Sequence, residues 1–290
     1  MAVVEYKAPK TIDEAVGFLA NSIHPAKAMA GGTDLIIQNR GHYDQPLVVV
    51  DTKHIDSMMQ ATVDADGLVL GPSISCAELT ARDDIKAIYP GLIEAAFLIG
   101  STQIQGRASI GGNLCNASPA GDTLPALIVN AAQCVIAGPD GERTVPVEEF
   151  CIGVGKNCMA RAELLVALKV PRPAPGTADA YLRFIPRSEM DIAVAGAGVS
   201  VTLDKNGKCT AARVAIGAVA PTPLLVPEAG DALIGTEIDD AALDAAAAAA
   251  SAAAKPITDR RGTEEYRKHV VGVLTKRAAK IAAERARGAS

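Results

Sequence analysis

Residues 106–125 read GRASIGGNLCNASPAGDTLP. The stretch combines a glycine pair with small hydroxyl and amide side chains and two prolines, a composition in which almost nothing is suited to build a core. Glycine has no Cβ, so the backbone N–H groups can approach a ligand and form an anion-binding concavity. Ser109 and Asn113 can add donors. The stretch predicts a phosphate-binding loop, although a glycine pair alone is also typical of a plain surface loop.

A second stretch of similar character lies upstream. Residues 27–35 read KAMAGGTDL, in which apolar residues lead into Gly31-Gly32. This order predicts a strand, a glycine turn and the start of a helix. Thr33 or Asp34 can cap that helix, whose N-terminus would then face a phosphate. We expect the Asp34 carboxylate to cap backbone N–H groups. Two such loops suit a pyrophosphate.

Length, composition and charge narrow the class of protein. A chain of 290 residues is long for one core, so two or three subdomains are expected. With 49% apolar and 21% charged residues it reads as a soluble globular protein. A net charge of −5 argues against nucleic acid or an anionic membrane as the main partner. No signal peptide or membrane-spanning run is visible, so the expected location is cytoplasmic, with peripheral association at the inner face of the membrane left open.

The N-terminal part predicts two α/β units. Residues 1–60 read as strand, helix, strand, helix and strand, and Thr11 with Glu14 forms a predicted capping box. Residues 61–176 read as a second unit, with a helical region broken at Pro90 and a hairpin at residues 139–141. The stretch GVGKN at 153–157 lacks the first glycine and the hydroxyl residue of a Walker A motif.

The C-terminal part predicts a different layout. The proline-rich residues 171–177 read as a linker, and strands with a turn at 205–207 follow. Val201 stands where a Rossmann fingerprint beginning at Gly196 requires its third glycine. An alanine-rich helix and a long basic amphipathic helix close the chain. The expected fold class is α+β: two N-terminal α/β subdomains and a C-terminal subdomain of antiparallel sheet with helices.

Residues that could carry chemistry alone are scarce. The six cysteines include no C-x-x-C pair, and the four histidines lack metal-ligand spacing. No Ser-His-Asp set or carboxylate pair stands out. The sequence therefore predicts no metal site and no catalytic residue, as expected for a protein whose bound cofactor performs the chemistry.

Several ordered motifs resemble one family. They are AGGTDL at 30–35, SIGGNLCNASPAGD at 109–122, GVGKN followed by ELLVALKVP at 153–171, and ITDRRGTEEYRKHVVGVLTKRA at 257–278. Together they resemble the FAD-binding subunit of molybdenum-containing hydroxylases, a group that includes the medium subunit of carbon monoxide dehydrogenase and the flavin domain of xanthine dehydrogenase. The resemblance spans essentially the whole chain. It implies an FAD-binding domain at 1–176, made of subdomains at about 1–60 and 61–176, and a C-terminal subdomain at 177–290.

The resemblance also implies roles for individual residues. Residues 27–34 and 109–113 match the two pyrophosphate loops of the family. Asp122 matches an acid that fixes ribityl hydroxyls, and Leu165 matches an apolar contact to the adenine. The implied cofactor-binding residues are Lys27, Ala28, Met29, Ala30, Gly31, Gly32, Thr33, Asp34, Ile99, Gly100, Ser109, Ile110, Gly111, Gly112, Asn113, Asp122, Leu165, Arg183 and Ile192.

Three positions near the implied flavin ring need separate comment. Arg183 matches a lysine that touches the cofactor, and either it or Arg187 would stabilise an anionic reduced flavin. A solvated strand face is the alternative for both arginines. Met190 stands where the xanthine dehydrogenase relative has an acid beside the ring and its NAD site. This departure weakens NAD as the electron acceptor.

The function implied by the resemblance is an electron relay. A large subunit with molybdopterin would oxidise the substrate, and a small subunit with two [2Fe–2S] clusters would pass electrons to this FAD and on to an acceptor such as a quinone. A dimer of heterotrimers is typical of the family. The substrate stays open among carbon monoxide, a purine, an N-heterocycle and an aldehyde. A stand-alone FAD-dependent reductase and a flavin-free scaffold are the alternatives.

Overall fold

The computed structural model describes residues 4–41 and 45–288, so His42 lies outside the described residues. The elements form sheets of three, five and four strands and a two-stranded ribbon. The combination of helices with these mainly antiparallel sheets confirms the predicted α+β class. Within the described residues, no helix is both long and apolar enough to cross a bilayer.

The first unit is a small parallel sheet covered by one long helix. Its elements are β1 Val4–Lys7, α1 Ile12–Asn21, β2 Ala26–Met29, α2 Leu35–Gln38 and β3 Leu47–Asp51, with 3₁₀ turns at Asn39–Gly41, Thr52–His54 and Asp56–Met59. The strand order is β1-β3-β2 and both pairings are parallel. All five residues of β3 are buried, as expected for a central strand. The strand β2 therefore lies at an edge, with one side of its backbone unpaired.

Two predicted helix caps of this unit differ from the structure. The Thr11 hydroxyl accepts from Glu14 N as predicted, but the Glu14 carboxylate accepts from Lys10 N and leaves the capping box half made. Neither predicted cap of α2 forms: Asp34 stands at the N-cap with no side-chain hydrogen bond. Its φ of −95° and ψ of −46° are helical, whereas a capping residue needs an extended backbone. Because α2 is four residues long, little helix dipole can act on a phosphate.

The second unit contains most of the helices. Its elements are β4 Ala61–Val63, β5 Gly67–Leu70, α3 Cys76–Thr80, α4 Asp83–Ile88, α5 Pro90–Phe97, α6 Thr102–Gln105, α7 Ile110–Cys115, α8 Thr123–Val129, β6 Gln133–Gly138, β7 Gly141–Pro146, α9 Val147–Phe150, β8 Cys151–Gly153, β9 Lys156–Asn157 and β10 Leu164–Pro171. The sheet order is β4-β5-β10-β6-β7. Every pairing in it is antiparallel, so this predicted second unit combines its helices with an antiparallel sheet. Strand β10 returns between β5 and β6 and runs against both of them.

The stretch 106–125 contributes more to the core than its composition predicts. Ala108, Ile110, Leu114 and Leu124 are buried in the main apolar cluster of this unit. The few large apolar side chains of α7 and α8 point into the core, and small residues stand between them. The stretch is therefore both a loop and a packed part of the core.

The C-terminal unit is an antiparallel sheet covered by two helices. Its elements are β11 Thr177–Phe184, β12 Ala195–Leu203, β13 Cys209–Gly217, β14 Leu224–Leu225, α10 Pro227–Asp231, α11 Asp240–Ala253 and α12 Glu264–Gly288. The strand order β11-β12-β13-β14 is purely antiparallel, as predicted. The alanine-rich composition of α11 allows close packing on α12. A Cβ at Gly272 would meet Ser251 Oγ and come within 3.0 Å of the Ala247 carbonyl oxygen.

A buried polar junction ties this unit to α5. The Asp179 carboxylate accepts hydrogen bonds from Gly91 N at 2.8 Å and Leu92 N at 3.1 Å, at the start of α5. Arg285 of α12 pairs with Glu94 and donates to the Asp179 carbonyl oxygen.

The connection from β10 to β11 spans residues 172–176. The predicted division of the chain at 176/177 stays a prediction.

Candidate functional site

Two neighbouring cavities meet at the glycine loops. The smaller one, about 280 Å³, is lined by residues of both loops, including Gly31, Gly32 and Gly112. The larger one, about 810 Å³, extends along β2 to the start of β10. Residues common to both linings are Ala28, Ala30, Leu35, Gly112 and Cys115. The shared lining makes the two cavities one elongated site.

The two loops touch through their backbones at Gly31, where a Cβ would overlap the carbonyl oxygen of Arg107. A second close approach involves Gly111, where a Cβ would overlap Pro72 of the connection between β5 and α3. In addition, Arg107 Nε donates to the Gly31 carbonyl oxygen at 3.4 Å. The glycines therefore serve the approach of protein backbone as well as the predicted approach of a ligand.

Several backbone donors near this junction have no acceptor among the described residues. In the part of the chain that the structure describes, the N–H groups of Gly31, Gly32, Thr33 and Gly111 donate to no acceptor. Gly32 has a φ of +79°, a conformation suited to an anion-binding turn. On the second loop, Ser109 accepts from Gly112 N at 3.1 Å and caps α7. Free donors at the meeting point of two loops fit the two phosphates of FAD.

The larger cavity has an apolar lining that fits an aromatic ring. Leu19, Met58, Leu164 and Leu165 contribute apolar side chains, and Leu165 is 2% exposed. The unpaired edge of β2 offers backbone donors and acceptors along one wall. Such a mixture of apolar surface with a few backbone polar groups is typical of sites for small molecules.

The structure brings most of the implied cofactor residues to these cavities. Those that line one or both are Lys27, Ala28, Met29, Ala30, Gly31, Gly32, Thr33, Asp34, Ile99, Ser109, Gly111, Gly112, Asn113 and Leu165. Gly100 lies in the turn after Ile99, with a φ of +60°. Ile110 is 1% exposed and packs into the core. The assignment of all these residues as FAD contacts stays a prediction.

Asp122 and Arg183 form a buried pair beside the cavities. Asp122 Oδ2 accepts from Arg183 at 2.7 Å, and Oδ1 accepts from the Tyr181 hydroxyl at 3.0 Å. The side chains of Arg183 and Asp122 are 6% and 10% exposed. The adjacent Thr123 donates to Asn113 Oδ1 at 2.8 Å, which links the pair to the lining of the smaller cavity. The alternative of a solvated strand face therefore does not apply to Arg183.

Burial governs the protonation of this pair. Burial raises the pKa of the Asp122 carboxyl to about 6, although the Arg183 charge opposes the rise. Burial also raises the pKa of the Tyr181 hydroxyl well above its ordinary value, and the Asp122 charge raises it further. The Arg183 Nε is buried without an acceptor among the described residues. Above pH 6 the pair is therefore close to neutral as a whole.

Ile192 lies apart from the two cavities described above. It is 53% exposed and lines a third cavity of about 290 Å³, together with Val154 and Ile257. Met190, 53% exposed, has a φ of +53° in the connection between β11 and β12. Arg187 lies in the same connection and is exposed, in agreement with a solvated position.

Several lining residues have no clear signal in the sequence. Pro72 and Ser73 lie between β5 and α3, Gln38 follows the first loop, and Asn157 ends the GVGKN stretch. Asn157 Nδ2 donates to the Cys115 carbonyl oxygen at 2.9 Å and so holds the end of α7. Of these four residues, only Asn157 belongs to a motif identified in the sequence, the stretch GVGKN before ELLVALKVP.

The described residues contain no group of three or more His, Cys, Asp or Glu that could hold a metal ion. All six cysteines are free thiols. Burial raises the pKa of Cys76 and Cys115 to about 12 and that of Cys151 to about 11. Thiols of this kind are poor nucleophiles near neutral pH.

Known proteins resemble this chain along almost its whole length. The family model described as the FAD binding domain in molybdopterin dehydrogenase matches residues 2–173, and that described as the CO dehydrogenase flavoprotein C-terminal domain matches residues 180–282. The carbon monoxide dehydrogenase medium chain of Afipia carboxidovorans is 34% identical, over 98% of this chain and 98% of that protein. The xanthine dehydrogenase FAD-binding subunit of Escherichia coli O157:H7 is 30% identical, over 94% of this chain and 93% of that protein.

A solved structure extends the agreement to the fold. A chain of the reconstituted CO dehydrogenase from Oligotropha carboxidovorans superimposes with a TM-score of 0.93 at 33% identity, covering 98% of this chain and 99% of that one. The matches span both the glycine loops and the C-terminal unit. The chain therefore belongs to the family of FAD-binding subunits of molybdenum-containing hydroxylases and is an oxidoreductase subunit.

Proposed function

We propose that this chain is the electron-transfer subunit of a molybdenum hydroxylase complex, which carries electrons through FAD to an external acceptor. The observation that supports this most is the row of N–H groups, where the two glycine loops meet, that have no acceptor among the described residues. Those donors suit a pyrophosphate, and the adjoining apolar cavity suits the adenine of the same cofactor. The chain is thus equipped to hold FAD and, in its described part, shows no metal-binding cluster of its own.

FAD, when bound, supplies a ring that accepts and donates electrons one or two at a time. The residues of this chain position it. Gly31, Gly32 and Thr33 would offer N–H donors to the phosphates, and Leu165 would hold the adenine end through apolar contact. We further propose that Asp122, which lines neither cavity, accepts hydrogen bonds from ribityl hydroxyls. Because Arg183 is already paired with Asp122, it adds little net positive charge to the flavin environment above pH 6.

The partners follow from the relatives. Several of these are medium chains or FAD subunits of dehydrogenases, and one similar structure is a Cu,Mo-CO dehydrogenase. We extend this to a large subunit with molybdopterin, which oxidises the substrate, and a small subunit with [2Fe–2S] clusters, which delivers electrons. A dimer of heterotrimers is the proposed assembly. Met190, an apolar residue, replaces the acid beside the NAD site of the xanthine dehydrogenase relative, so a quinone or similar acceptor is proposed.

Affinity purification of the chain from its native host tests this function. The expected product contains two further chains, molybdenum, iron and about one FAD per copy of this chain. Dithionite under anaerobic conditions should bleach the flavin of both the complex and the isolated chain, and a substrate of the large subunit should bleach only that of the complex. An isolated chain that oxidises or reduces an organic substrate unaided, with no metal-containing partner, would instead support a stand-alone reductase.

A further inference from the structure

Four consecutive carbonyl groups of the first glycine loop each accept a hydrogen bond. The Met29 carbonyl accepts from Thr52 Oγ1 at 3.1 Å and the Ala30 carbonyl from Lys53 Nζ at 2.6 Å. The Gly31 carbonyl accepts from Arg107 Nε at 3.4 Å, and the Gly32 carbonyl accepts from Ile36 N at 3.0 Å. The bond from Lys53 is the shortest of the four, and its donor is an ammonium group. The other cationic donor, Arg107, lies farther from its acceptor.

These acceptors control where the donors of the loop point. A trans peptide is planar, and its N–H lies opposite its C=O. Holding the Ala30 carbonyl therefore sets the direction of the Gly31 N–H, and holding the Gly31 carbonyl sets that of the Gly32 N–H. Both N–H groups belong to residues that line the smaller cavity, and neither has an acceptor in the described part of the chain. The loop is thus fixed from its carbonyl side.

Lys53 is itself held in place by a buried acid. Asp51 is 4% exposed, and its Oδ1 accepts from Lys53 Nζ at 2.6 Å and from Lys53 N at 3.1 Å. Its Oδ2 accepts from the Tyr6 hydroxyl at 2.7 Å. The Lys53 side chain is 19% exposed. The ammonium is therefore held by two oxygens, Asp51 Oδ1 and the Ala30 carbonyl oxygen, and Tyr6 in turn holds Asp51.

We propose that Lys53 is a positioning residue for the FAD pyrophosphate, acting through the Ala30 carbonyl and not by its own charge. Asp51 compensates that charge at a distance of 2.6 Å, so the cation gives little net attraction for a phosphate. Its effect is to hold the Ala30–Gly31 peptide with the N–H toward the cavity before the cofactor arrives. The proposal rests on FAD binding and is independent of the route that electrons take.

Lys53→Met tests the inference in the full-length chain. This variant keeps the length of the side chain and removes the donor to Ala30. The dissociation constant of FAD, followed by flavin fluorescence, should rise at least tenfold, which corresponds to about 1.4 kcal/mol. The ³¹P resonances of bound FAD should shift or broaden, because the N–H donors no longer have one fixed direction. Lys53→Arg, which keeps a donor, should recover most of the affinity.

Two control variants separate positioning from charge and from general destabilisation. Lys276→Met removes a surface lysine paired with Asp244 in the C-terminal unit and should leave both FAD readouts unchanged. The double variant Asp51→Asn with Lys53→Met restores the local net charge and should still bind FAD weakly. Wild-type affinity in the double variant, or unchanged ³¹P resonances in Lys53→Met, would overturn the proposal. If the wild-type chain bound FAD normally but delivered no electrons in the complex, the result would count against the proposed function alone.

Discussion

The α-carbon of Gly31 packs against the carbonyl oxygen of Arg107, so closely that any β-carbon at residue 31 would overlap that oxygen. The same arginine returns a hydrogen bond from Nε to the Gly31 carbonyl. The contact joins the parallel-sheet unit to the helical unit at the point where both line a common cavity. The geometry of the FAD site is therefore inseparable from the packing of the two units.

Gly31→Ala should disturb both packing and cofactor binding. The added methyl group has no space, so we expect a loss of about 1–3 kcal/mol in unfolding free energy, as for an overpacked site. FAD affinity should fall at least tenfold because the two loops must separate. Thermal unfolding and flavin fluorescence measure these effects.

Gly17→Ala is the matched control. A Cβ at Gly17 meets no heavy atom within 4 Å, and the residue lies inside α1. The change should raise stability by about 0.5–1 kcal/mol, since alanine favours a helix over glycine. If Gly31→Ala behaved like Gly17→Ala, the close contact of the loops would be wrong.

The protonation of Asp122 should make stability depend on pH. Burial raises the folded-state pKa to about 6 from an ordinary 3.8, so the folded chain binds more protons than the unfolded chain between these values. The contribution of Asp122 to stability is therefore complete below about pH 4 and is lost as the pH rises through 6.

Asp122→Asn removes this titration. In FAD-free chain, the difference in unfolding free energy between wild type and the variant should fall by up to about 1.4 kcal/mol per pH unit across that window. Urea unfolding at several pH values from 4 to 7 provides the measurement. A constant difference would show that Asp122 does not titrate there.

Arg183→Met should be costly because it leaves the Asp122 carboxylate buried without its cation. We expect a loss of roughly 3–5 kcal/mol near pH 7.5. The double variant with Asp122→Asn should recover a large part of it. Arg82→Met is the control, since Arg82 and Asp84 form a pair whose side chains are 38% and 53% exposed, and its ion pair should contribute no more than about 1 kcal/mol. Equal costs at Arg183 and Arg82 would contradict the buried pair.

Cys115 should report occupancy of the site. It lines both cavities, and burial raises the pKa of its thiol to about 12, so labelling by N-ethylmaleimide at pH 8 should be slow. Saturating FAD should slow it several-fold further. Cys209, in the core of the C-terminal unit, serves as the internal standard in peptide mass spectrometry. If the ratio of Cys115 labelling to Cys209 labelling did not change on addition of FAD, the result would argue against cofactor in these cavities.

The features that could be predicted from the sequence are local ones. Glycine pairs at 31–32 and 111–112, the turn at 139–140 and the alanine-rich helix each carry their signal within a few residues. The order of these signals, together with the family resemblance, predicted the α+β class and the loops that line the cavities.

The features that could not be predicted depend on contacts between distant segments. Lys53 looks like any surface lysine until the structure places it on the Ala30 carbonyl, 23 residues away. The partnership of Asp122 with Arg183 spans 61 residues. The antiparallel second sheet depends on where β10 returns, which no local pattern records. The helix predicted to start after Gly31-Gly32 is only four residues long, and two of its apolar residues, Ile36 and Ile37, remain more than half exposed.

The most direct test of the account is the flavin content of the purified full-length chain after incubation with FAD, followed by denaturation to identify the released flavin. The account predicts about one FAD per chain, released intact, with no iron–sulfur absorbance. A folded chain that retains no FAD under these conditions would contradict the central claim that the two glycine loops form its binding site.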